Sequence, residues 1–134
     1  MNARFWFVLT AGCALVLTAV PAFAHHAFAA EFDRQKPVTI TGSVTKVEWA
    51  NPHARFYVDA KDETGKVNNW DFELGSPNGL MRRGWTRNSL KIGDVVTVTG
   101  WRAKNAPHVA NAGTVTLADG KKVFAGSSIN DPTP

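Results

Sequence analysis

The sequence is nearly without cysteine: the single one, Cys13, lies in the N-terminal apolar run. That excludes a disulfide-stapled miniprotein and a zinc site built from cysteine pairs. Charge of one sign is also scarce. Fifteen Lys and Arg against eleven Asp and Glu leave +4, scattered along the chain, which argues against a nucleic-acid partner. No Gly-x-Ser-x-Gly elbow, phosphate-binding glycine loop or dinucleotide fingerprint occurs, so the familiar nucleophilic and nucleotide chemistries have no foothold. There is no internal repeat, and 134 residues are too few for two domains. What is present is 44% hydrophobic and 19% charged, the composition of a chain that folds around a core.

Residues 1–24 read as a secretory signal peptide. Arg4 supplies the positive start, Phe5 to Val20 the apolar stretch, and Ala22-Phe23-Ala24 the small-x-small cleavage signature after Pro21. The sixteen apolar residues fall short of the roughly 20 that span a bilayer, and no basic cluster follows. The expected address is the periplasm, with secretion as the alternative, and no stable membrane insertion after cleavage. Cleavage removes Cys13 and Arg4, leaving a thiol-free chain of charge +3 that starts at His25.

The remaining organisation is an N-terminal arm over 25–36, a domain over 37–126 and a Ser/Asn/Pro-rich tail over 127–134. In the arm, Phe28 and Phe32 are four apart, the spacing of one helical face. Val38, Ile40 and Val44 alternate with Thr and Ser; the phase then flips to Val47 and Trp49, which predicts a bulge near Thr45-Lys46, and Gly42 offers a second bend. Asn51-Pro52-His53 is a turn. Ala54, Phe56, Val58 and Ala60 form the inner face of a second strand, and Trp70, Phe72 and Leu74 that of a third. Ser76-Pro77 starts a short helix near 77–83, closed by Gly84. A fourth strand over 95–101, a fifth over 109–118 and an Asp119-Gly120 hairpin to Val123-Phe124 complete the chain. The predicted fold class is all-β: an OB-fold-like five-stranded barrel with one short helix between strands 3 and 4.

The histidines carry the chemical interest, because all four fall outside the predicted strand interiors. Cleavage after Ala24 would give His25 a free amine, whose ordinary pKa of about 7.7–8.0 lets a metal displace its proton near neutrality. Amine and imidazole nitrogens favour copper(II), which tops the affinity order of common divalent metals. His53 lies in the loop between strands 1 and 2, and His108 in the loop between strands 4 and 5, which flank the ligand face of an OB barrel. His25, His26, His53 and His108 are therefore the candidate copper ligands. A second candidate site is an aromatic and basic platform of Trp49, Trp101 and Arg102 for an envelope glycan or a protein partner. Asp71 and Glu73 read as a solvated polar strand face. The functional expectation is a non-catalytic, exported binding protein.

Several stretches resemble a bacterial family of small exported proteins of unknown function. They are the start His25-His26-Ala27-Phe28-Ala29-Ala30-Glu31-Phe32-Asp33, the turn Trp49-Ala50-Asn51-Pro52-His53, Ser76-Pro77-Asn78-Gly79-Leu80, Arg83-Gly84-Trp85, Gly93-Asp94 and Val115-Thr116-Leu117-Ala118-Asp119-Gly120. The resemblance implies an OB-like fold and brings no catalytic residues. The family pattern includes the His-His start and the Asn-Pro-His turn, and His108 is not in it.

Overall fold

The computed structural model describes residues 28–123. The leader, His25, His26, Phe124 and the tail lie outside the described residues. Six strands and a short helix follow one another: β1 (Phe32–Glu48), β2 (Arg55–Lys61), β3 (Val67–Glu73), α1 (Pro77–Arg82), β4 (Val95–Ala103), β5 (Val109–Leu117) and β6 (Lys122–Val123).

The strands are hydrogen-bonded in the order β3-β2-β1-β4-β5-β6, and a parallel pairing of β3 with β5 (Asp71 with Val109, Glu73 with Asn111) joins the ends. Five strands thus close into a ring, with the helix between the third and fourth. That is the OB-fold. Closure removes the exposed edges that an open sheet would carry.

The long β1 makes closure possible. Its first part pairs with β4 (Val38 with Gly100, Gly42 with Val96) and its last part with β2 (Val47 with Phe56). Ser43 is where one strand serves both neighbours, pairing with Asp59 and with Val95. Gly42 sits at this crossing because a Cβ there would lie 2.2 Å from the Asp59 carbonyl oxygen. The register shift between Val44 and Lys46 is the bulge that the phase flip predicts.

The largest difference in boundary from the sequence expectation is at the start of the first strand. β1 starts at Phe32, not after Pro37, and the register is irregular between these two residues. Proline has no N–H to give the ladder, so it is tolerated at such an irregularity. Phe32 pairs with Ala103 and is buried together with Phe28 and Ala103; Trp101, Ala106 and Val109 pack against them. Burial of the two phenylalanines draws the arm onto β4 as an added length of strand. Residues 28–31 are helical, and the Phe28 and Phe32 rings are 5.3 Å apart, as their spacing suggests.

The main core fills the ring. Phe56, Val58, Phe72, Val96, Val98, Ala110, Ala112 and Val115 are fully buried on the strands, as is Leu74 just after β3. Phe72 stacks between Phe56 and Trp70, at 5.3 and 5.9 Å. α1 closes one end. Ser76 caps it by accepting from the Gly79 N–H at 3.2 Å, and Gly84, at φ 89°, makes the left-handed turn that ends it. Leu80, Trp85 and Leu90 from this segment belong to the core. Burying a side chain such as Leu80 is worth about 1.5–3 kcal/mol.

Candidate functional site

The outer face of β1, β2 and β3 is polar by the same alternation that makes the inner face apolar. On β2, Arg55 and Tyr57 point out while Phe56 and Val58 point in. Pairing brings Arg55 opposite Glu73 and Tyr57 opposite Asp71. Arg55 donates from Nε and Nη2 to the two Asp71 carboxylate oxygens, at 2.9 and 3.1 Å, and from Nη1 to Glu73 Oε2 at 3.4 Å. This is the two-pronged geometry in which a guanidinium recognises a carboxylate best. Burial opposes the Arg55 charge, yet the bond to Asp71 and the fields of Asp71 and Glu73 hold its pKa above the ordinary value.

Next along the face, Tyr57 donates its hydroxyl to Glu48 Oε2 at 3.0 Å, and Lys46 pairs with the other oxygen of Glu48 while lying over the Tyr57 ring. Hydrogen bonds from Lys46 and then Tyr57 lower the Glu48 pKa. Desolvation, and then the bond to Glu48, raises that of Tyr57.

The network continues into the loop that joins β1 to β2. This loop turns through a cis peptide between Asn51 and Pro52 and brings His53 back to β3, where Nδ1 lies 3.2 Å from Glu73 Oε1. Glu73 is thus held at both oxygens, by His53 and by Arg55, and its side chain is only 7% exposed. The reading of Glu73 as a solvated strand residue is corrected: its position at the end of β3, under the returning loop, buries it.

Glu31, the last residue of the helical turn before β1, reaches the same place. It lines a cleft of about 620 Å³ with Glu48, Asn51, His53, Arg55 and Glu73. Its carboxyl pKa is raised, first by desolvation and then by the field of Glu73, with Arg55 and His53 opposing. The ionisable lining is three carboxylates, one guanidinium and one imidazole, so the cleft favours a cation over an anion.

The candidate ligands distribute unevenly over this geometry. His53 is in the cleft. His108 is elsewhere: its ring stands edge-on to Trp70 at 5.3 Å, and its carbonyl accepts from the Asp71 N–H at 2.9 Å. Trp70 belongs to the inward face of β3 and Glu73 to the outward face, three residues or about 10 Å along the strand. The two loops therefore do not bring the two imidazoles together as the sequence expectation had them. Among the described residues, no group of three or more His, Cys, Asp or Glu side chains is assembled to hold a metal ion. His25 and His26 lie outside the described residues.

The proposed platform of Trp49, Trp101 and Arg102 also separates. Trp101 and Arg102 are successive residues of β4 and leave it on opposite faces. Trp101 meets Phe28 edge-on at 6.0 Å, and the Arg102 guanidinium lies 5.4 Å from the centre of the Trp70 ring. Trp49 packs against the main core and lines a smaller cleft of about 380 Å³ with Pro77, Met81, Trp85 and Arg87. Trp101 and Arg102 are used internally, to seat the arm and to cover Trp70.

Sequence reasoning missed Glu31, Arg55 and Glu73. Hairpin arithmetic across the Lys61–Gly65 connection offered a signal, since it sets Arg55 opposite Glu73. Glu31 falls in the first of the stretches that resemble the family, but no local pattern marked its carboxylate.

Comparison with known proteins places the chain. A family of unknown function, DUF6152, matches residues 14–112. The chain belongs to that family. No curated protein matches it. Among solved structures it is similar to Rim1, a mitochondrial single-stranded DNA binding protein of S. cerevisiae. The identity is 10% over 62% of this chain and 93% of that one, with a TM-score of 0.48. For this DUF6152 member the functional question therefore rests on its own cleft.

Proposed function

We propose that this DUF6152 protein is an exported, non-catalytic binding protein of the cell envelope that holds copper(II) between its processed N-terminus and His53. One observation carries this reading: Glu31 and His53 line a single cleft. His25 precedes Glu31 by six residues, a length of chain that reaches at most about 20 Å. In this reading its amine and imidazole join His53 at the cleft. The surplus of carboxylates in the cleft attracts a metal cation and repels the phosphates of a nucleic acid. His26 remains a candidate assisting ligand. His108 is withdrawn from the set, because its ring is committed to Trp70. The leader pattern of residues 1–24 supports export to the periplasm and cleavage before His25.

The test begins with the full chain expressed in a Gram-negative host and recovered from the periplasm. Intact mass should place the first residue at His25. Copper(II) titration followed by visible absorption should then give one site per chain with nitrogen-rich d–d bands. His25→Ala and His53→Ala should each weaken binding at least tenfold. A different first residue, or affinity unchanged in both variants, contradicts the reading.

A further inference from the structure

From Leu74 to Gly93 the chain has no acidic residue and four cations, Arg82, Arg83, Arg87 and Lys91. After α1 this segment folds back: Gly84 makes the left-handed turn, and the Trp85 N–H returns to the Leu80 carbonyl at 3.0 Å. The next turn closes between Thr86 and Ser89, with the Thr86 N–H donating to Ser89 Oγ at 2.8 Å and the Ser89 N–H to the Thr86 carbonyl at 3.0 Å. Arg87 stands inside that turn. The outcome is the smaller cleft, in which Trp49, Pro77, Met81 and Trp85 supply apolar walls and Arg87 is the one ionisable residue among those that line it. Arg87 has no hydrogen-bond or ion-pair partner among the described residues. The larger cleft shares Ala50 and Asn51 with this one and carries three carboxylates. Two clefts of opposite charge therefore meet at the β1–β2 loop.

We propose that the smaller cleft binds a small amphiphilic carboxylate, with its apolar body against Trp49, Met81 and Trp85 and its anionic head on Arg87. The volume, about 380 Å³, is that of a small-molecule site. A guanidinium presents paired N–H donors that match a carboxylate, and one lining cation calls for one negative charge. Arg82 and Arg83, exposed and next in the chain to Met81, make the surroundings positive and disfavour a cationic ligand. Met81 is 53% exposed, and its flexible side chain can close over an apolar body. It is also the one exposed large hydrophobic among the lining residues, and Trp85 is buried. Apolar surface recessed in this way suits a separate molecule that enters the cleft, whereas a membrane contact calls for several projecting apolar side chains. The proposal is independent of the copper reading.

Decanoate, kept below the concentration at which it forms micelles, is the probe. Titration of the purified protein with a metal chelator present, followed by proton–nitrogen NMR, should show saturable binding at one site per chain. The amides of Trp49, Met81, Trp85 and Arg87 should shift, and those of Glu31 and His53 should shift less. Decanol, of the same length but uncharged and less hydrated, would bind tighter at a merely apolar site. Here decanoate should bind at least about threefold tighter than decanol, the scale of an exposed charge pair. Decyltrimethylammonium should not bind. Arg87→Gln should abolish the preference for decanoate while leaving decanol affinity within twofold, a result that an unfolded variant cannot give. The wild-type comparison of decanoate with decanol needs no variant at all. Absence of saturable decanoate binding, decanol bound as tightly as decanoate, or a preference that survives Arg87→Gln overturns the proposal. Binding to phosphatidylglycerol vesicles without binding to free decanoate also overturns it, and assigns the surface to a membrane.

Discussion

The two faces of β3 follow different rules. Inward, Trp70, Phe72 and Leu74 are buried among other apolar groups, and Phe72 sits between two rings. Their contribution is non-directional, and what matters is volume. Outward, Arg55 donates to Asp71 and Glu73 at 2.9 to 3.4 Å, and His53 Nδ1 lies 3.2 Å from Glu73. There the worth of a residue depends on its partner's geometry, and Glu73 has nearly the burial of a core residue without apolar chemistry. The inner face makes the barrel; the outer face uses the barrel's register to fix a charged cleft. A protein can thus keep its fold through many inner-face exchanges of similar volume, while a single exchange outside breaks a specific contact.

The sharpest way to break this contrast is on the inner side. Phe72→Ala should cost about 3–5 kcal/mol, read from the denaturant midpoint, because it removes a large buried ring and leaves a cavity. Arg55→Ala should cost less, about 1–3 kcal/mol, since its side chain is 29% exposed and the loss is chiefly that of donors to two carboxylates. Arg55→Lys should recover little of it, because an ammonium lacks the fork that spans both Asp71 oxygens. If Arg55→Ala proved more damaging than Phe72→Ala, the division between the faces would fail.

The smallest effect belongs to the turn between β2 and β3. The Asp62 carboxylate accepts from the Thr64 hydroxyl and backbone and from Asn68, which lowers its pKa to about 2. A carboxyl whose pKa is lower folded than unfolded stabilises the protein fully above the unfolded value, near 4, and loses that contribution as the pH falls toward 2. Asp62→Ala should therefore be slightly less stable than wild type at pH 7. The gap should close between pH 4 and pH 2; a gap that persists unchanged at pH 2 would remove the carboxylate from the explanation.

Much of the barrel is legible in the residues. The alternations at Phe56–Val58 and Trp70–Phe72, the phase flip at Thr45–Lys46 and the Ser76-Pro77 helix start are local patterns, and each is realised in the strand pairing or the cap. The start of β1 at Phe32 is less legible, because it depends on Phe28 and Phe32 finding Ala103 across the chain. The cleft is legible only in part. His53 stands out by its turn, but its neighbours Glu31 and Glu73 are brought to it by loop return and strand register. Trp101, Arg102 and His108 misled for the same reason: residue type suggests a surface role, and tertiary contacts to Phe28 and Trp70 take them up instead.

The most direct measurement is a proton–nitrogen NMR spectrum of the protein recorded with substoichiometric copper(II). The paramagnetic ion should broaden the amides of Glu31, Asn51, His53 and Glu73 first, and leave Val115 and the β5–β6 turn sharp. Broadening centred on His108, or spread evenly over the surface, would contradict a copper site at the Glu31–His53 cleft.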